Sequence, residues 1–198
     1  MKTYDLLLAA LLFAGPALAQ DTGIHVAGHW TLDVYNADGT LDESRAFHND
    51  LVLDGGSLLV RLLARDAEHG AFQLRIRGVD GPLCGDDSSR SPCTLAEPGT
   101  IADDPDDPLD DLMLEIINRN ATNGNPTILR LSGRAVIGFA GQIGRVSSQQ
   151  YYCQYDEVDL CGPETAGFLR DFTERTFDVP LDVEAGQTVD VTFELSFE

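Results

Sequence analysis

The residues in this chain best suited to chemistry are oxygen and sulfur donors, and they come in short clusters. Asp103, Asp104, Asp106, Asp107, Asp110 and Asp111 fall within nine residues, broken by two prolines (DDPDDPLDD). Hard carboxylate oxygens on a loop suit calcium, the one cofactor the sequence suggests. The spacing is not that of an EF-hand, because the turn glycine and the glutamate at the twelfth position are missing. Proline excludes helix and central strand here. The plainer reading is a solvated acidic loop in a protein without cofactor, and the sequence favours it.

Sulfur comes next. The four cysteines are Cys84, Cys93, Cys153 and Cys161. Zinc sites use cysteine pairs two to four residues apart, and these spacings are longer. Four cysteines allow three disulfide connectivities. Pairing Cys84 with Cys93 and Cys153 with Cys161 is favoured, since each pair brackets a short polar loop. The second of these loops, YYCQYDEVDLC, carries Tyr151, Tyr152 and Tyr155. Tyrosines beside a disulfide form a rigid amphipathic patch of the kind found at binding surfaces. The alternative is that the rings cap the core, and their exposure decides between the two.

Nitrogen donors are sparse. His25 and His29 stand four apart, which on a strand places them on one face about 13 Å from each other. They read as surface or edge residues. The sequence His48, Asn49, Asp50 precedes the only helix-like stretch, and is expected to hydrogen-bond the corner there. No G-x-S-x-G, H-E-x-x-H or P-loop occurs, so no catalytic residue is nominated. A carboxylate-based hydrolase acting on an extracellular substrate stays as a rival reading, although abundant carboxylates do not make a site.

The elements that must hold these groups are mainly β. Residues 54–69 form the exception: Leu58, Leu59, Leu62 and Leu63 share one helical face. Asp54 or Ser57 can cap the start, and Gly70 can end it. Elsewhere apolar and polar residues alternate. Trp30, Leu32 and Val34 share one parity, as do Phe72, Leu74 and Ile76, with Gln73, Arg75 and Arg77 on the other. Residues 112–118 (LMLEIIN) read as a short buried strand. Gly133 reads as a bulge or a close approach to the helix. The last strand alternates strictly through Val189, Val191, Phe193, Leu195 and Phe197. The expected fold is therefore an antiparallel β-sandwich with one amphipathic helix packed on it.

Two segments resemble β-sandwich modules of phage tail-fibre and virion-associated proteins. One runs through Asn49, Leu51 and Gly55 or Gly56 into the helix. The other is the turn and last strand with Gly186, Gln187, Val189 and Val191. The resemblance implies the fold. The signal-like start and the cysteines depart from that family, whose members assemble in the cytoplasm, so it implies a module reused for export rather than a virion role.

Export is read from the first nineteen residues. Lys2 precedes a short apolar run, and Ala17-Leu18-Ala19 forms an A-x-A cleavage site before Gln20. The run is too short to span a bilayer, and no later stretch is long enough. The rest, residues 20–198, is expected to be one domain. Oxidising conditions outside the cytoplasm fit paired cysteines. The net charge is −20, which opposes nucleic acid, anionic lipid and other polyanions. A small outer-membrane β-barrel is a further rival, opposed by Asp190 and Glu194 on the outward face of the last strand. The leading expectation is a secreted or periplasmic, non-catalytic protein that binds or supports an envelope or extracellular partner.

Overall fold

Alternation of side chains across a pleated strand sorts the chain into an apolar interior and a polar exterior. In a computed structural model this sorting yields nine strands and one helix among the described residues, which are 26–64, 67–84, 93–98, 111–118, 127–154 and 168–197. The proposed signal peptide, Tyr155, Cys161 and the aspartates from Asp103 to Asp110 lie outside them.

The first hairpin joins β1 (Val26–Tyr35) and β2 (Leu41–Asp50). Its turn places Gly39 at φ 82°, which only glycine adopts without strain. The helix α1 (Leu53–Leu63) follows. Then come β3 (Ala67–Gly78), β4 (Cys93–Ala96), β5 (Met113–Asn118), β6 (Thr127–Val136) and β7 (Gly141–Gln154). The long β8 (Phe168–Val183) and β9 (Thr188–Phe197) close the chain around a turn with Gly186 at φ 89°.

All the named strand pairs are antiparallel. Sheet A has the order β2-β1-β9-β6-β5 and sheet B the order β4-β3-β7-β8. Single bridges stitch the sheets at both sides, Leu51 to Thr173 and Ala96 to Asp111. Between them lies one apolar core. Trp30, Leu32, Phe193 and Leu131 come from sheet A, and Leu74, Ile76, Ile143 and Leu181 from sheet B. Gln187 ties the two turns together. Its Nε2 donates to Asn36 Oδ1 and Asp42 Oδ2 at 3.0 Å each, and its Oε1 accepts from the Glu184 amide at 2.7 Å.

The outer face of sheet A is charged. Arg130 bonds Glu194 at 2.6 and 2.9 Å, and Arg134 holds Asp190. A transmembrane barrel needs an apolar outer band. Along β6 and β9 the outward side chains include these paired ions, which opposes the barrel reading. Among the described residues no helix is long and apolar enough to cross a membrane.

Six expectations need correction. The helix spans 11 residues rather than 54–69. Of its leucine face, Leu58 is buried and Leu62 packs against the core, but Leu63 is exposed. Gly70 is no helix cap. It sits in β3, where an added Cβ would lie 3.0 Å from Tyr151 Cβ, so the pairing with β7 claims that stretch. No side chain caps the helix start at Val52, although Asp54 lies in the first turn, where a carboxylate suits the dipole. Strand β5 is not buried. It is a sheet edge paired with β6 alone, and Met113 and Ile116 are 62% and 66% exposed. Gly133 sits in regular register opposite Val191, and its near neighbour is the Asp111 carbonyl at 2.8 Å from an added Cβ, not the helix.

The Cys84–Cys93 disulfide is present, with the Cα atoms 5.1 Å apart. It ties Cys84 to the buried Cys93 at the start of β4. The second expected bridge, Cys153–Cys161, falls outside the described residues.

Candidate functional site

The outer face of sheet B gathers the most unusual polar chemistry among the described residues. It follows from the alternation in β3. Because Phe72, Leu74 and Ile76 turn into the core, Gln73, Arg75 and Arg77 must turn away from it. The register with β7 then sets Gln73 opposite Gln149, Arg75 opposite Ser147, and Arg77 opposite Arg145. Strand β8 adds Asp171 beside Gln149 and Glu174 beside Ser147.

These groups form a connected row. Gln73 Nε2 donates to Gln149 Oε1, and Gln149 Nε2 donates to Asp171 Oδ1 at 2.7 Å. Arg75 Nη1 reaches Gln149 Oε1 at 3.5 Å. The Tyr151 hydroxyl donates to Gln73 Oε1 at 3.4 Å. Arg145 pairs with Glu174. Three guanidiniums thus face two carboxylates. Among the described residues, Arg77 has no carboxylate at ion-pair distance.

The arginines are half-buried and incompletely satisfied. The Nε atoms of Arg75, Arg77 and Arg145 are each shielded from solvent with no hydrogen-bond partner. A buried donor left unpaired costs about 1–3 kcal/mol. Burial lowers the Arg75 pKa, the positive charges of Arg77 and Arg145 lower it further, and Asp171 opposes them. Arg75 still remains a cation at neutral pH. The arrangement therefore concentrates positive charge on one sheet face in a chain whose net charge is −20. Planar guanidiniums with donors to spare suit carboxylate or phosphate oxygens.

Tyr151 and Tyr152 do not form the expected exposed patch. They are 9% and 6% exposed. Strand β7 continues through them to Gln154, so adjacent rings point to opposite faces. Tyr151 joins the polar row, and burial raises its pKa. Tyr152 faces the core, with the Arg61 guanidinium 5.2 Å from its ring centroid. Tyr155 lies outside the described residues.

Of the six aspartates assigned to calcium, only Asp111 is described. Its main chain bridges Ala96, and the other five lie outside. Among the described residues, no group of three or more His, Cys, Asp or Glu side chains is placed to hold a metal ion. The carboxylates brought to the arginine face are already engaged, Asp171 by the Gln149 amide and Glu174 by Arg145. Asn49 is structural, as its position before the helix implied: it is buried and accepts from the Trp30 indole at 3.2 Å.

The alternation in β3 places Arg75 and Arg77 on an outward face without distinguishing them from other outward residues. The signal available was their alternation with buried residues. Arg145 joins them only through cross-strand register. Compared with known proteins, the chain matches no family model, no curated protein and no solved structure.

Proposed function

We propose that this is an exported, non-catalytic β-sandwich with a binding role at the cell envelope. The outer face of sheet B is its binding surface, and the partner presents a single carboxylate or phosphate group. The observation that carries this reading is the gathering of Arg75, Arg77 and Arg145 by strand register on one sheet face, where the two nearby carboxylates are already engaged. A net charge of −20 repels polyanions at long range. Charges beyond about 8 Å are screened at physiological salt, so one small anionic group beside the arginines feels mainly them.

The test is isothermal titration of the full chain with inorganic phosphate and with acetate at constant ionic strength. Wild type takes up one anion. Arg77→Gln weakens uptake at least ten-fold, and Arg130→Gln, on the opposite sheet, leaves it unchanged. Equal weakening by both variants, or no uptake by wild type, contradicts the proposal.

A further inference from the structure

The register of the first hairpin brings two imidazoles together on the outer face of sheet A. The turn after β1 pairs Trp30 with Phe47 and His29 with His48. Since Trp30 points into the core, His29 must point out, and His48 with it. In-register neighbours on one face have their Cβ atoms about 4.5–5.5 Å apart. The ring centroids are 4.6 Å apart and inclined at 50°.

The geometry points to a divalent transition-ion site made by His29 and His48, with Cu2+ bound more tightly than Zn2+. An ion between two imidazole nitrogens at about 2.0–2.1 Å each, with a near-tetrahedral angle, sets the ring centroids about 5 Å apart. The observed spacing needs only a few tenths of an ångström of opening, which side-chain rotation supplies. His29 Nδ1 is shielded from solvent and has no hydrogen-bond partner, so that nitrogen is not committed to a protein acceptor or donor. On the far side of His29 in register stands Glu194, which adds negative charge while bound to Arg130 at 2.6 Å. Arg130 is the nearest opposing cation in that row, and Glu194 and Glu115, the latter at 3.8 Å, offset it. Water completes the coordination. Imidazole ligands select copper, zinc and nickel over calcium and magnesium, and copper leads that order. The acidic surface raises the local concentration of any cation.

Cu2+ titration of the full chain, followed by electron paramagnetic resonance, tests the site. Wild type shows one tight ion with two imidazole nitrogens in its hyperfine pattern, undisturbed by excess Ca2+ or Mg2+. His48→Asn, an exposed position, leaves far-ultraviolet circular dichroism unchanged, reduces the count to one nitrogen and weakens binding at least ten-fold. The variant His25→Asn with His69→Asn keeps both nitrogens and the affinity. The inference is overturned if His48→Asn binds Cu2+ like wild type, or if removing His25 and His69 abolishes the signal.

Discussion

The indole nitrogen of Trp30 donates a hydrogen bond of 3.2 Å to the side-chain oxygen of Asn49, and both residues are buried. Asn49 is the last-but-one residue of β2, so this bond fixes where the first hairpin ends and the chain turns into α1. Gly28 packs beneath it. An added Cβ would collide with Asn49 Oδ1 and lie 3.0 Å from Phe193 Cε2.

Asn49→Ala leaves the Trp30 donor unpaired, and the expected cost is about 1–3 kcal/mol. Gly28→Ala displaces the same oxygen and is expected to cost about 1–3 kcal/mol by overpacking. Both are read from urea midpoints followed by tryptophan fluorescence. Unchanged midpoints would show that the corner is held by something else.

The two glycines that open the helix behave oppositely. An added Cβ at Gly55 would collide with the Phe172 carbonyl of β8, whereas at Gly56 nothing lies within 4 Å. Gly55→Ala therefore pushes the helix off the sheet and is expected to cost about 1–3 kcal/mol. Gly56→Ala is expected to stabilise by about 0.5–1 kcal/mol through helix propensity. Thermal melts of the two variants should move in opposite directions.

Strand pattern was legible because its period is two. Trp30, Leu32 and Val34, and Val189, Val191, Phe193 and Leu195, are all buried as the alternation required. The turns at Gly39 and Gly186 were equally plain. The end of the helix was not, because residues 67–69 carry no strand signal and are recruited by pairing with β7. The exposure of β5 was hidden too, since an apolar run looks the same in an edge strand as in a central one. Tyr151 and Tyr152 read as loop because of the nearby cysteine, yet β7 runs through them. The arginine row and the His29–His48 pair depend on register between strands, which no local pattern records.

The Cys84–Cys93 bridge closes a short loop, and the chain-entropy relation assigns it about 2–3 kcal/mol. Cys84→Ser with Cys93→Ser should lower the urea unfolding free energy by that amount while the fold survives, as judged by circular dichroism. Loss of less than about 0.5 kcal/mol would mean that the reduced chain keeps the same contacts.

Tyr151 predicts a response to alkali. Burial raises its pKa above the ordinary 10.0, and Arg75 lowers it less. In the unfolded chain the phenol releases its proton near pH 10, while in the folded protein it keeps it. The unfolded state then binds fewer protons, so stability falls as pH rises above about 10 and levels off only past the folded value. Tyr151→Phe should make that decline shallower in urea titrations between pH 9 and 11. An identical slope in both proteins would remove the effect.

The arginine face of sheet B carries the proposed function, and the Nε–Hε groups there give a direct probe. Arginine Nε–Hε resonances of Arg75, Arg77 and Arg145 can be followed by nitrogen-15 NMR while phosphate is added at fixed ionic strength. The account predicts that these three shift together and saturate, while Arg130 and Arg134 on sheet A stay in place. Shifts spread evenly over all the arginines, or none at these three, would contradict it.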